Sequence, residues 1–477
     1  MVLSKIVKAT SWTTVSTVFT SAITILQISI LTRYIAPEVY GQFAIINLAI
    51  EIFTAMALGG ISSFIIYKKD ITQKARNTVF ILVMLSGCIA FTFFYFIGPM
   101  IVKLLGYHNL GGPIQIAAIL LIVTSLSSQY QAFALKNFAH DKIAKVEIIS
   151  KILSFTIALT TVEWGIFCLL LSFISYHLFR LLGLILYLSK SINFSFNFEF
   201  SIIKEAINYG AYELGSQTLN IVRKQLDIII LASTLSTHDL GIYHVIKQLA
   251  SRPAMAIQPI VNKVALPTFS LLQDQKLAFK KTYIDFMRAQ SFALAFFYVP
   301  VIIFSDLVAS LLLGNAFSSH YIILGLLGVF WFIRVAASNL MGPTALAAGQ
   351  TKLSFYWNLG VLIPNVSIIY LSSSVGVTAL AIALIVFQLA IIPIANKLII
   401  RKIIPVTLLE IIASIGMPVL ILAIPLLALK FGLYYIQVNV LLFNESAVAT
   451  LSLLVSLLTI KHVPSIRGSL LRLKNNH

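Results

Sequence analysis

Residues 36–43 read Ala36-Pro37-Glu38-Val39-Tyr40-Gly41-Gln42-Phe43, and residues 236–243 read Ser236-Thr237-His238-Asp239-Leu240-Gly241-Ile242-Tyr243. Adding 200 to each number of the first octet gives the second, with Gly41 falling on Gly241 and an aromatic residue closing each. The same shift links the segments just upstream. Thr13, Thr17, Thr20, Thr24 and Gln27 recur at steps of four and three, so they line one face of a helix. Shifted by 200 they become Glu213, Gln217, Asn220, Lys224 and Asp227. A third match, Pro99–Gly106 with Leu307–Gly314, follows at a slightly larger offset. A turn and a stripe at one offset mark an internal repeat.

Each copy rides on apolar stretches long enough to cross a bilayer, and roughly fourteen such stretches run along the chain, at about 20 residues each. They fall near 9–32, 39–66, 78–102, 113–135, 147–162, 165–189, 207–232, 241–265, 289–313, 320–346, 353–373, 376–396, 409–430 and 443–460. An even number of spans separates the two copies, so both insert the same way up. The predicted fold is an all-α polytopic membrane protein. It has two lobes of about six helices each, in parallel pseudo-twofold repeat, with any substrate site between them. The first lobe covers 1–189, a cytoplasmic linker 190–206, and the second lobe 207–396. Two extra helices occupy 397–460 and a basic tail 461–477. Within the second lobe, the segment 266–288 sets Leu271, Leu272, Phe279, Tyr283, Phe286 and Met287 against Lys276, Lys280, Lys281 and Arg288. That pattern predicts a helix lying in the headgroup layer; it also reads as a plain tether.

Cations crowd every second gap. Lys68, Lys69, Lys74 and Arg76 share one; Lys136, Lys142 and Lys145 the next such gap; Lys276, Lys280 and Lys281 a third; Lys397, Arg401 and Lys402 a fourth. The tail adds Lys461, Arg467, Arg472 and Lys474, whereas the intervening gaps hold little beyond Arg33, Lys103 and Lys430. Cationic loops resist translocation, so the rich side and both termini are expected in the cytoplasm of a cell whose inner membrane holds the protein. The first apolar run is too long for a leader and lacks a cleavage site, so it reads as a retained span.

Composition agrees. Hydrophobic residues make up 59% of the chain and charged ones 10%, values outside the soluble range. The net charge of +18 would suggest nucleic acid in a soluble protein. Here it follows from loop charge and attraction to anionic membrane lipid, and no nucleic-acid partner is expected. Cys88 and Cys168 lie in apolar segments, so neither a disulfide framework nor a metal site is in view, and no cofactor is implied.

A charged side chain at the centre of a spanning helix costs about 2.5–3.5 kcal/mol, so it normally faces water or a partner. The seventh span holds Arg223, Lys224 and Asp227. The eighth holds Lys247 and Arg252, with His244, Gln248 and Arg252 on one face. Arg334 lies near mid-depth in the tenth, and Glu51 in the second, with Asn47 and Thr54 on its face. Arg223, Lys224, Lys247, Arg252 and Arg334 outnumber Glu51, Glu213 and Asp227. The surplus suits an anion, and a pyrophosphate in particular, which arginine can hold with two parallel bonds. Plainer readings stand beside this one. Arg223 and Asp227, four apart, can neutralise each other, and Lys224 and Lys247 can snorkel or glue lobes together. Glu51 either partners a second-lobe cation or loads a proton or sodium ion. His177, Arg180, Gln129, Tyr130 and Gln131 read as interface positions. No Walker loop, GxSxG elbow, HExxH or paired-cysteine spacing occurs, and the outward gaps are too short for a catalytic domain, so no enzyme is expected.

These residues also carry a family resemblance. Leu31-Thr32-Arg33-Tyr34-Ile35-Ala36-Pro37-Glu38-Val39-Tyr40-Gly41 resembles the first-turn signature of the bacterial polysaccharide transporter, or oligosaccharide flippase, family. That family belongs to the multidrug/oligosaccharidyl-lipid/polysaccharide flippase superfamily. Leu226-Asp227-Ile228-Ile229-Ile230, Leu240-Gly241-Ile242-Tyr243, Arg252-Pro253, Leu266-Pro267 and Gln273-Asp274 are similar to its second-lobe pattern, in the branch of Wzx-like capsule and colanic-acid exporters. The likeness covers roughly residues 1–400. It implies a MATE-like fold and a flippase for undecaprenyl-pyrophosphate-linked oligosaccharide in O-antigen, capsule or exopolysaccharide synthesis. It also implies alternating access, with a cationic cavity formed by spans 1, 2, 7 and 8. The partners implied are the lipid-linked oligosaccharide, membrane lipid, and a polymerase with its chain-length regulator. A drug or cation antiporter of the same fold is the second reading, and a membrane glycosyltransferase or polymerase the third. The first-lobe stripe is neutral, which places the expected pyrophosphate contact in the second lobe.

Overall fold

The structure, a computed structural model, describes residues 2–58, 62, 64–65, 68, 71–104, 106–137, 139–188 and 199–435. The expected span at 443–460, the basic tail 461–477, Lys69 and the linker residues 190–198 lie outside the described residues. Among those described, every regular element is a helix.

In chain order the first helices are α1 (Val2–Leu31), α2 (Pro37–Leu58), α3 (Gln73–Leu104), α4 (Gly111–Ala117), α5 (Ile119–Lys136), α6 (His140–Thr160) and α7 (Ile166–Leu188). Then come α8 (Ser201–Lys224), α9 (Leu226–Thr234), α10 (Thr237–Leu271), α11 (Lys276–Ile303), α12 (Ser305–Leu312), α13 (Tyr321–Ser338) and α14 (Met341–Ala347). The described chain closes with α15 (Thr351–Ser373), α16 (Val377–Ala395) and α17 (Leu408–Tyr435). Ten described helical segments are long and apolar enough to cross a membrane. The expected spans at 147–162, 207–232 and 241–265 fall on α6, α8–α9 and α10, which stand outside those ten. Their interior lysines, arginines and carboxylates lower the hydropathy. In a membrane protein, long helices with such interiors are where polar work is done.

Three of the expected spans differ from the sequence reading in their course. The seventh is broken: α8 ends at Lys224, Gln225 stands outside both helices, and α9 begins at Leu226. Arg223 and Lys224 sit in the last turn of α8 and Asp227 in the first turn of α9. Each charge thus faces the helix end whose dipole favours it, which makes the break a stable place for all three. The tenth is interrupted between α13 and α14, and the fourth between α4 and α5. The segment 266–288 forms no helix of its own: α10 runs on to Leu271 and α11 starts at Lys276. Phe279, Tyr283, Phe286 and Met287 are buried against Phe269, Ile391, Ile399 and Ile400, whereas Leu271 is exposed.

Packing divides the chain into two compact units, Met1–His244 and Val245–His477, the division falling within α10. In the first unit, α6 and α7 meet along small side chains. Ser150, Ser154 and Ala158 recur every fourth residue on α6, and Cys168, Ser172 and Ser175 face inward on α7. Small residues let backbones approach where lipid offers no hydrophobic drive, so packing and hydrogen bonds carry the association. Ser172 donates to the Ser154 carbonyl at 3.2 Å, and the Cys168 thiol to that of Ala158 at 3.2 Å. Gly183 belongs to the same seam: a Cβ there would come within 2.8 Å of Val146 Cγ1.

The repeated octets form the tightest contact in this unit. Pro37 opens α2, as its fixed φ and missing N–H allow at a first helical position, and the homologous turn opens α10. A Cβ on Gly41 would strike the Thr237 carbonyl, and one on Gly241 the Pro37 carbonyl. The two first turns therefore cross backbone to backbone, and glycine is required on both sides of the crossing. Lower in the unit, α8 is fastened where it begins. Lys68 pairs with Glu205 at 2.6 Å, Thr72 donates to Glu199 at 2.8 Å, and the Glu199 amide donates to Thr78 Oγ1 at 2.9 Å.

The second unit is built round α11. Its N-terminal half packs with α10, α16 and the chain around Ile404 and Ile411; its C-terminal half, with Leu294, Ala295 and Tyr298, packs against Phe332 and Ala336 of α13 and Leu422 and Leu426 of α17. Lys280 to Glu410 at 2.8 Å ties α11 to α17 at one end. Lys430, donating to the Ile303 carbonyl at 2.6 Å, does so at the other.

Candidate translocation site

Two polar clusters of the first unit take up residues expected at the site. One forms at the break of the seventh span. Asn47 Nδ2 donates to Glu51 Oε1 at 3.0 Å, and Gln225 Nε2, from the gap between α8 and α9, donates to Glu51 Oε2 at 2.8 Å. The described partners of Glu51 are thus two neutral amides. Next to it, Asp227 accepts from the Tyr243 hydroxyl at 2.6 Å and from the Ile228 amide at 2.9 Å. Arg223 and Lys224 are exposed at this break, as is Asn220, while Glu213 and Gln217 are half-buried and joined by a 2.9 Å bond. Residues expected to form one continuous stripe therefore split into a helical run ending at Lys224 and a capping carboxylate at Asp227.

The second cluster joins α1, α6 and α7. Along α1 the hydroxyls of Thr17, Thr20 and Thr24 donate to the carbonyls of Thr13, Ser16 and Thr20. Back-bonding of this kind is how a threonine row is tolerated in an apolar setting. The polar edge proper is made by neighbours of that row. Ser16 donates to Glu147 Oε2 at 2.7 Å, and Arg180 Nη2 lies 3.4 Å from Glu147 Oε1. Lys151 donates to Gln27 Oε1 at 2.8 Å, and Gln27 Nε2 donates to Ser172 Oγ at 2.9 Å. His177 packs edge-on against Phe173 and Tyr176 at 5.0 and 5.2 Å. Glu147 and Lys151 drew no notice in the sequence although both fall in the fifth expected span; in the structure they sit one turn apart inside α6. Their spacing of four was the available signal.

In the second unit, Lys247 and Arg252 are half-buried on α10 and Arg334 on α13. Arg252 Nε is enclosed with no hydrogen-bond partner. The Arg334 guanidinium lies over Trp331 at 5.1 Å and Phe330 at 5.6 Å, contacts that hold a cation without neutralising it. Beside Arg252, a side chain of α11 bonds to the backbone of α10. Tyr298 Oη accepts from the Ala254 amide at 3.2 Å and donates to the Ala250 carbonyl at 2.7 Å. The hydroxyl thus bridges an amide and a carbonyl one turn apart, next to Pro253. Proline and an inserted side chain are two of the known causes of a sharp helix bend. Gln129 and Tyr130, expected at an interface, are buried in the first unit, where Gln129 Nε2 donates to Ser62 at 2.7 Å.

Helices throughout the described residues, with interior charges gathered on a few of them, are the setting in which comparison with known proteins becomes informative. A family model described as "Polysaccharide biosynthesis protein" matches residues 30–322. The chain belongs to this polysaccharide biosynthesis family. It is similar to the amylovoran biosynthesis protein AmsL of Erwinia amylovora, 28% identical over 312 residues, which cover 62% of this chain and 77% of the relative. It is also similar to the teichuronic acid biosynthesis protein TuaB of Bacillus subtilis, 25% identical over 366 residues, covering 76% and 75%. Among solved structures, the inward-closed lipid II flippase MurJ aligns with a TM-score of 0.70 at 14% identity, covering 93% of this chain and 96% of that one. An inward-facing multidrug resistance MATE family transporter aligns at 0.62 with 11% identity, covering 79% and 94%. At those identities the structural likeness establishes the fold, which is the MATE-like polytopic fold that the family resemblance implied. This family member is a multi-pass membrane protein.

Proposed function

We propose that the protein is a flippase that carries undecaprenyl-pyrophosphate-linked oligosaccharide repeat units across the cytoplasmic membrane for surface polysaccharide synthesis. Relatives named for amylovoran and teichuronic acid biosynthesis support a glycan cargo, and the flippase fold supports movement of a lipid-linked one. The observation that carries the reading is the placement of charge. In a chain of apolar helices, the interior cations gather on α6, α8, α10 and α13, where a pyrophosphate has use for them and lipid has none. Arg223, Lys224, Lys247, Arg252 and Arg334 engage the pyrophosphate, the sugar follows the polar helices, and the prenyl tail stays in the bilayer. Transport proceeds by alternating access, from a cytoplasmic side on which both termini lie, driven by an ion or substrate gradient.

Neutralising Arg252 or Arg334 to glutamine tests this in a host lacking its own copy. Surface polysaccharide is expected to fall at least about ten-fold, as for loss of one charged contact of ~1.4 kcal/mol or more, with protein level and insertion unchanged. Normal polymer from both variants overturns the cationic site. Organic-cation efflux by the purified protein, with no response to lipid-linked sugar, would instead establish a drug antiporter.

A further inference from the structure

We infer that the contact fastening the start of α8 inside the first unit is a releasable closure of the cytoplasmic side, with Lys68–Glu205 and Thr72–Glu199 as its latch. The inference rests on the flippase reading and names the element that opens toward the cytoplasm to admit cargo.

Two divisions of the chain disagree over α8. By the 200-residue offset it is the counterpart of α1 and opens the second copy, since Glu213 and Gln217 answer Thr13 and Thr17. By packing it belongs to the first unit, which runs to His244. An element that sequence assigns to one copy and packing to the other is placed to change sides. α9 and the first turn of α10 share that position, but there Gly41 and Gly241 interlock backbone to backbone, with no side chain to let go. The start of α8 is held differently. Its Ile202 and Ala206 are buried among Phe64, Ile65, Ala75, Val79 and Ala132. One isoleucine and one methyl group are a small apolar area to uncover.

The polar part of the contact is built to part at little cost. Thr72 precedes α3 and caps it: its Oγ1 accepts from the Ala75 amide at 3.0 Å and donates to Glu199 at 2.8 Å. Thr78 Oγ1 accepts from the Glu199 amide at 2.9 Å and donates to the Lys74 carbonyl at 3.0 Å. Each hydroxyl keeps a bond to its own helix when Glu199 leaves, so neither is orphaned. The Lys68–Glu205 pair, 2.6 Å apart, has side chains 30% and 51% exposed. Exposed ion pairs add little net stability, because water serves both ions almost as well. Lys68, Lys74 and Arg76 also mark this end of α8 as cytoplasmic by the charge pattern, which is the side where cargo is loaded.

The test uses the full-length protein with Cys88 and Cys168 changed to alanine, reconstituted in vesicles with a synthetic polyprenyl-pyrophosphate disaccharide. Lys68→Cys and Glu205→Cys are introduced together and joined by a short bis-methanethiosulfonate, whose bonds a reducing agent cleaves. Transport is expected to fall at least about ten-fold when the bridge forms and to return on reduction, as for a gate held shut. Full transport with the bridge in place overturns the inference and leaves the flippase reading standing. A second measurement needs no cargo. In the same alanine background, Ala206→Cys puts a thiol on the buried, latched face, and Lys68→Glu sets a like charge against Glu205. Labelling of Ala206→Cys by a soluble maleimide is expected to rise about five-fold with Lys68→Glu. Ala295→Cys, buried in the second unit, is expected to stay protected, which shows that the fold is intact. Unchanged labelling of Ala206→Cys, or equal gains at both positions, overturns the inference. A protein that moves no lipid-linked sugar, bridged or not, removes the flippase reading, and the labelling result then decides the closure alone.

Discussion

Gln225 occupies the single-residue gap between α8 and α9, and from there its amide reaches Glu51 on α2. A residue freed from helical geometry can aim its side chain across the bundle, and Gln225 uses that freedom to supply one of the two amide donors found on Glu51. Replacing it with leucine leaves one carboxylate oxygen without that donor in a setting poor in water. The expected cost is about 1–3 kcal/mol, the desolvation penalty of an unmet polar group, read as a lower unfolding midpoint in detergent. In a Glu51→Leu background the same Gln225→Leu change is expected to cost much less, because the partner is already gone. Equal costs in both backgrounds would show that the amide serves something other than Glu51. This contact was not legible in the sequence. Glu51 stood out as a lone acid at mid-depth, but its partner lies 174 positions away, on a residue unremarkable until the helix is seen to break beside it.

Helices supply two further tests. Tyr298 donates to Ala250 and accepts from Ala254, so a side chain of α11 clamps one turn of α10 beside Pro253. Tyr298→Phe removes the clamp. The expected cost is about 0.5–1.5 kcal/mol, that of a typical hydrogen bond, and transport is expected to fall because Arg252 lies within the turn. Amide hydrogen exchange at residues 250–254 checks it: faster exchange than wild type supports the clamp, whereas unchanged exchange shows that the turn holds without it. At the other test site, Gly241→Ala places a methyl against the Pro37 carbonyl. The first turns of α2 and α10 must separate, at a cost of about 1–3 kcal/mol as for other overpacking changes. Gly41→Ala is expected to match it, and thermal unfolding of the two variants compares them. Much of this level was legible in sequence. The repeated octets announced a special turn at Gly41 and Gly241, and period and length announced the helices. The break at Gln225 was not, because no proline or glycine marks it and the helix-ending signal there is the charge arrangement around it; the break after Ser338 did carry a signal, Gly342-Pro343 in the first turn of α14.

For the whole molecule, hydropathy and an offset of 200 residues were enough for the fold, since an apolar chain in lipid has helices as its principal option and a repeat limits how they are arranged. The polar interior was less legible, because partners such as Ser16, Glu147 and Arg180 are far apart in sequence and only folding brings them to one wall. Orientation is the whole-molecule property the charge pattern predicts most directly. From cations concentrated in alternate gaps, Leu277, amid Lys276, Lys280 and Lys281, is expected in the cytoplasm and Tyr34, beside Arg33 and Pro37, outside. Both side chains are exposed, at 79% and 70%, so cysteines at these positions can be reached by a soluble reagent. In a background with Cys88 and Cys168 changed to alanine, Tyr34→Cys is expected to react with a membrane-impermeant maleimide in intact spheroplasts. Leu277→Cys is expected to react only after the membrane is opened. The opposite pattern would invert the protein, and labelling of both in intact spheroplasts would mean that an odd number of membrane crossings does not separate the two positions.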